Sequence, residues 1–354
     1  MRRGLMGWDA DELPKATLDE RVGRLQAAMR RGGFDAFLLY SNLVRPSAVC
    51  WLTGFTPYWI ESLLLVGLEG APLLATALSK RVSDWIRATS QMGEIINTPK
   101  PGTAIGQRLA ASGARRIGVL ELDALPAGLF DDIAAVAPAG ELLDATPLFA
   151  AERRRIDAPE RKLIERADAI AIAALDQVEA AQVQDAGALA GLVEKHARLD
   201  AAEEAYIAIA SDLDSDRRMI RVSKPALLAD RFAVRASIAY KGSWVRRTRT
   251  FARDATAAPA VARANAWFER ARGTVASDQP LAAQIAAQVA RLPGAGLKSW
   301  MVESCIGSYP LEVVGSSASP GHAALPGGSF FTLSVELAID GVPWLGAAPG
   351  FVAG

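Results

Sequence analysis

Histidine is nearly missing from this chain. There are two, His196 and His322, in 354 residues. That supply excludes a histidine-rich metal site, a His-x-x-x-His zinc helix and a histidine relay. Cysteine is as scarce. Cys50 and Cys305 lie far apart and read as separate thiols rather than a disulfide framework. No apolar run approaches the roughly 20 residues a membrane helix needs. Charge of one sign is not in excess either, because 39 Lys and Arg offset 39 Asp and Glu. A neutral chain gives no overall electrostatic pull toward nucleic acid or anionic membrane, and neither partner is expected. A Gly-x-Ser-x-Gly elbow and a phosphate-cradling Gly-x-x-x-x-Gly-Lys loop are both absent. The opening MRRGLMGWDADELPK meets acids instead of an apolar stretch, so a secretory leader is not expected and a cytoplasmic location is.

What is present is a globular composition, 51% hydrophobic and 22% charged, in a length that suits two domains. Thr17 to Glu20 has the pattern of a capping box, followed by helical periodicity at Val22, Leu25 and Met29 and a stop at Gly32-Gly33. The apolar run FDAFLLY (34–40) predicts a buried strand, and Leu63–Leu68 with Pro72–Ala75 predicts a hairpin across Glu69-Gly70. Ile117 to Leu120 is a further strand. Together these predict an α/β domain over residues 1–150. From Asp157, a natural N-cap followed by Pro159 and Glu160, a long helix should begin, and a second helix near 186–198 carries His196 as a surface residue. The acidic run SDLDSD (211–216) invites a calcium reading. It fails, because the loop's sixth and twelfth positions are filled by residues other than the required glycine and glutamate.

The most informative stretch is VRASIAYKGSWVRRTRTF, residues 234–251. Its frame resembles the core motif of the creatinase and Xaa-Pro aminopeptidase family, with Tyr240, Gly242, Thr248, Arg249 and Thr250 on matching positions. The pieces GGFDAFLLY and Leu-Thr-Gly-Phe (52–55) resemble the same family's N-terminal domain. The resemblance covers nearly the whole chain. It implies an α/β N-terminal creatinase-type domain (1–150) plus an α+β pita-bread C-terminal domain (151–354), and a homodimer. In that family the N-terminal domain helps close a neighbouring subunit's site. Arg45 would suit that role, or it is simply a solvated loop arginine.

The family's functional positions differ here. Its two metal-bridging aspartates correspond to Arg235 and Arg246, eleven residues apart as in the family. Its loop histidine has no counterpart within Ser211–Pro225. Its two later histidines correspond to Ser304 and Leu311, although Ile306, Gly307 and Glu312 match. Its glutamate strands fall on Ser334 and Leu345, or, with a two-residue slip, on Glu336. Guanidiniums cannot shed a proton to admit a cation. At ~4 Å and an effective dielectric near 20, each like-charge contact would cost about 4 kcal/mol. No metal and no other cofactor is therefore expected, and metallo-aminopeptidase activity should be absent.

Three readings of the two arginines stay open. Arg235 and Arg246, with Arg249, Tyr240 and Glu336 around them, can form a pocket for a small anionic or zwitterionic ligand such as an amino or guanidino acid. Alternatively Glu312, Glu336 and Asp340 neutralise them in an internal network, or Arg235 faces solvent. If catalysis survives, Cys305 is the candidate nucleophile, His322 the only nearby proton carrier and Glu312 the retained acid. The other outcome is an inactive interaction or regulatory protein.

Overall fold

The computed structural model describes residues 9–56, 60–181, 183–222, 225–305, 311–320 and 323–353. The chain divides into two compact units. The first runs to Pro159, and the second comprises Glu160–Ser304 with Leu311–Gly354.

The first unit is built on six strands: β1 (Ala36–Ser41), β2 (Ser62–Gly67), β3 (Leu73–Thr76), β4 (Ile95–Asn97), β5 (Arg116–Val119) and β6 (Glu141–Asp144). Their order across the sheet is β4-β3-β2-β1-β5-β6. β1 runs antiparallel to β2 and parallel to β5. The unbroken apolar run of β1 is explained by burial on both faces. Phe37 and Leu39 join a core with Leu25, Trp51 and Phe149, whereas Ala36 and Leu38 join another with Ile105, Leu109 and Ile133. The N-terminal helix, Lys15–Gly32, begins two residues before the expected cap. Pro14 holds the N-cap position, and Thr17 is buried inside the first turn. Arg21, also buried, sends Nε and Nη2 to the carboxylate of Asp157 at 2.7 and 2.9 Å and Nη1 to the Trp51 carbonyl at 2.7 Å. Arg45 is not a bare loop cation. Its guanidinium meets Glu121 at 2.7 Å.

The second unit holds one seven-stranded sheet: β7 (Glu204–Ala210), β8 (Arg231–Tyr240), β9 (Ser243–Ala252), β10 (Ala295–Ser304), β11 (Glu312–Ser316), β12 (Phe330–Ile339) and β13 (Val342–Phe351). The order is β11-β10-β12-β13-β9-β8-β7. One face packs on the helices Ala258–Ala271 and Leu281–Val289, with Trp267, Phe268 and Ile285 set against Val302, Leu333, Val335 and Trp344. Strand alternation sends the intervening residues to the other face. On β12 those are Thr332, Ser334 and Glu336, so this face is polar.

Two hairpin turns fix which residues reach it. Lys241-Gly242 joins β8 to β9, and Asp340-Gly341 joins β12 to β13. All four residues have positive φ (45° and 77°; 51° and 83°), the geometry of two-residue hairpin loops whose twist matches that of the strands. A slip of one residue at either turn would carry a whole strand's side chains to the wrong face.

Candidate functional site

The polar face assembles part of the expected group and separates the rest. The register pairs Arg235 with Thr248 and Ser237 with Arg246, so both arginines project from the same side of β8 and β9 as diagonal neighbours. Arg235 Nε donates to Thr248 Oγ1 at 3.1 Å. Arg235 has no ion-pair partner among the described residues. Burial first, and the charge of Arg246 second, push its pKa down to about 10, with Glu303 acting in the opposite sense. It remains a cation at neutral pH.

Arg246 does have a counter-ion. Its Nη1 forms an ion pair with Oε2 of Glu303, a buried carboxylate on β10. Glu303 sits opposite Thr332 on β12, which places it on the polar face. Among the described residues, three polar atoms on the same face carry no hydrogen-bond partner: Arg246 Nε, Thr332 Oγ1 and Ser334 Oγ. Thr332 is fully buried. Unsatisfied donors at such depth are costly unless something pairs with them. Two guanidiniums facing one carboxylate leave this part of the sheet with a net charge of +1.

Arg249 and Tyr240 do not belong to this group. Both lie on the helix side of the hairpin. Arg249 binds Asp176 at 2.7 Å, and the Tyr240 ring stacks under the guanidinium of Arg166 at 5.9 Å. Strand alternation is the physical reason: Tyr240 and Arg249 differ by an odd number of residues from Arg235 and Arg246 respectively. Arg247, another helix-side residue, is buried and binds Asp168 through two nitrogens and Glu269 at 2.6 Å, tying β9 to two helices. These partners raise its pKa above the ordinary arginine range even though burial acts the other way.

The expected internal network is wired differently. Glu336 shares the polar face but is taken by Arg217 at 2.7 Å and by the Ser299 hydroxyl at 3.1 Å. Asp340 pairs with Arg263 at the β12–β13 turn. Glu312 opens β11 opposite Ser304, one register step from the Glu303–Val313 pair, and so turns to the other side of the sheet from Glu303. Cys305 follows β10 and is buried. His322, Ile306 and Gly307 lie outside the described residues. In the acidic loop, Asp216 pairs with Arg218, Asp214 pairs with Arg231 on β8, and Asp212 accepts from the Ser215 hydroxyl.

The residue that sequence reasoning missed is Glu303. A signal was available. Ser304 occupies a family histidine position, and its neighbour one residue earlier on a strand must face the opposite way. Among the described residues no three of His, Cys, Asp and Glu are grouped so as to hold a metal ion, and no helix is long and apolar enough to cross a membrane.

A first unit with helices on both faces of its sheet, ahead of a seven-stranded sheet with one polar face, is the architecture of the pita-bread prolidase group, and this chain has that fold. Residues 21–155 match the family model of the creatinase/prolidase N-terminal domain, so the first unit is a domain of that kind. Among solved structures, the chain is similar to the X-Pro aminopeptidase of Thermotoga maritima MSB8 (TM-score 0.75, 16% identity, 94% of each chain). It is similar to the prolidase of Pyrococcus horikoshii OT3 (TM-score 0.72, 15% identity, 94% of this chain and 95% of that one). The N-terminal domain of the FACT complex subunit SPT16 from chickpea is also similar (TM-score 0.65, 14% identity, 96% and 94%). A search of curated proteins finds no match. At these identities the likeness establishes the fold, which peptidases share with a subunit of another kind of complex, and the site must carry any functional conclusion.

Proposed function

We propose that this protein binds a small carboxylate-bearing amino or guanidino compound on the polar face of its second unit, without metal and without metallo-aminopeptidase activity. The observation that carries the reading is Arg235: a half-buried guanidinium with no ion-pair partner among the described residues, next to the Arg246–Glu303 pair with its unpaired Arg246 Nε, in a net positive field. A planar fork of donors matches a carboxylate.

The metal pair implied by the resemblance does not fit this donor set. Arg235 and Arg246 occupy the bridging positions and have no lone pair to offer a cation. The nearest carboxylates, Glu303 and Glu336, are each already engaged by a guanidinium. No step is therefore routed through a metal.

A second reading, a catalytically inactive interaction or regulatory protein, is favoured by one observation. Glu312, the acid expected to take part in the chemistry, faces the other side of the sheet from Arg235, and the expected nucleophile Cys305 is buried. Ligand binding without turnover satisfies both readings. A cytoplasmic homodimer, expected from sequence, is part of the proposal and is checked by light scattering and fractionation.

The test is a thermal-shift comparison of divalent metals, EDTA and small amino and guanidino carboxylates. A ligand at 100 times its dissociation constant should stabilise by roughly 2.7 kcal/mol. The expected result is stabilisation by a carboxylate class, lost in Arg235→Ala, with no effect of manganese, cobalt or zinc. Metal-dependent cleavage of an Xaa-Pro dipeptide would overturn it.

A further inference from the structure

A second concentration of arginine belongs to the first unit alone. Arg24 and Arg31, seven residues apart, share one face of the helix Lys15–Gly32. Glu152 lies near the end of the short helix Thr146–Arg153, and Arg155 follows just beyond it. The Glu152 side chain is only 5% exposed, and three guanidiniums surround it. Arg31 Nη2 is 3.3 Å from Oε1, whereas Arg155 Nη1 and Arg24 Nε stand 3.8 and 3.9 Å from Oε2. Only the first is close enough for a hydrogen bond. Among the described residues, Glu152 Oε2 and Arg24 Nε and Nη2 have no hydrogen-bond partner. The next acid along the chain, Asp157, is already held by two nitrogens of Arg21. Three cations therefore face one carboxylate, a net charge of +2. Arg24 is also kept from turning away, because its guanidinium lies 5.7 Å from the centre of the buried Trp51 ring. The side chains of Arg31 and Arg155 are 67% and 66% exposed and that of Arg24 is 29% exposed, so the cluster opens to solvent with the carboxylate beneath it.

We infer that Arg24, Arg31 and Arg155 form a receptor for a phosphate dianion, a site separate from the one proposed above. Guanidiniums keep their charge and present forks of donors that match phosphate oxygens. Three forks converging from two segments suit a tetrahedral group, whose oxygens point in several directions, better than a planar carboxylate with two. The charge count selects in the same sense. A dianion cancels the net +2, a monoanion leaves half of it, and Glu152 beneath repels any anion that does not gain from all three arginines. The exposed arginines leave the outer side open, so the phosphate can be the free ion or the end of a monoester whose organic part projects into solvent.

The experiment is calorimetric titration of the full chain, at constant ionic strength, with inorganic phosphate, glycerol 2-phosphate and dimethyl phosphate. Dimethyl phosphate, a monoanion, should bind at least about tenfold more weakly than the two dianions. Tighter binding of inorganic phosphate marks the free ion as the ligand, and tighter binding of glycerol 2-phosphate marks a monoester. Arg24→Gln and Arg155→Gln should each weaken the dianions by about tenfold or more. Arg155 is largely exposed, so its variant keeps the test open if Arg24→Gln, which loses packing on Trp51, fails to fold. Glu152→Gln removes the charge beneath the cluster and should tighten phosphate severalfold, a gain that a purely structural carboxylate would not give. Arg235→Ala should leave phosphate binding unchanged. No binding of either dianion, equal binding of phosphate and dimethyl phosphate, or binding that survives both arginine variants overturns the site. Loss in Arg235→Ala alone would put the anion on the polar face and overturn it as well.

Discussion

Arg246 and Glu303 are joined by an ion pair although their strands are not neighbours. β13 and β12 lie between β9 and β10, and the two side chains reach across both. The pair neutralises one of two adjacent arginines and leaves the other without an ion-pair partner among the described residues. Its two halves are therefore unequal. Glu303→Ala leaves Arg235 and Arg246 facing each other with no carboxylate and should cost about 3 kcal/mol. Arg246→Ala leaves Glu303 within the field of Arg235, which can take its place, and should cost about 1 kcal/mol. Urea unfolding of the two variants checks the order. The Glu303 variant should also be the one that added chloride or sulfate stabilises.

The hairpin's helix-side arginines make a second comparison. Arg247 is buried and holds two carboxylates, so Arg247→Ala strands Asp168 and Glu269 and should destabilise by about 3–5 kcal/mol. Arg249 pairs with an Asp176 side chain that is 54% exposed, and Arg249→Ala should cost less than about 1 kcal/mol. Equal losses in denaturant titrations would mean that the burial difference does not govern the pairing.

Glu203, just before β7, supplies a pH dependence. Burial raises its pKa from 4.5 to about 7, although the Gly242 amide, which donates to it at 3.2 Å, and the charge of Lys241 oppose the shift. A carboxyl group that holds its proton more tightly when folded stabilises the native state below pH 4.5. That contribution is lost as pH rises through about 7. Stability should therefore fall across roughly pH 5 to 7.5, by the order of 2 kcal/mol. Glu203→Gln should flatten the curve in that window and be the more stable protein at pH 8. A Glu203→Gln profile parallel to that of the parent would show that the group does not titrate there.

Two glycines should respond oppositely to the same change. Gly242 has φ +77° in the β8–β9 turn, and Gly242→Ala should cost about 1–2 kcal/mol. Gly23 lies inside the helix Lys15–Gly32 with open space where a Cβ would sit, and Gly23→Ala should gain about 0.5–1 kcal/mol. Melting temperatures of the two variants decide it.

Much of the fold was legible because hydrophobic period and turn chemistry are local. β1, the β2–β3 hairpin and the helices flanking them follow from apolar runs and glycines. The start of the first helix was misplaced because Thr17-Leu-Asp-Glu20 has the capping pattern, yet Pro14 three residues earlier already supplies a fixed φ at the helix start. At the site, sequence spacing brought Arg235 and Arg246 together correctly, since both lie in one hairpin. It could not choose their partners. Glu303, Glu336 and Glu312 are separated from them by helices and loops, and which carboxylate faces an arginine depends on the parity of a strand register set elsewhere. Arg249 and Tyr240 were grouped with the pair by proximity in sequence, and alternation within the strand moved them to the other face.

β13 also bears on how the second unit comes into being. It is the last strand in the chain, yet it lies at the middle of the seven-stranded sheet, between β12 and β9. Until residues 342–351 have left the ribosome, β7–β9 and β10–β12 have no shared border and each shows an uncovered strand edge. The six-stranded sheet of the first unit uses nothing past Asp144. Synthesis therefore passes through a stage in which the strands of one unit's sheet are all available and the other's are in two parts with open strand edges, the stage at which edge-to-edge misassembly is most open to this chain.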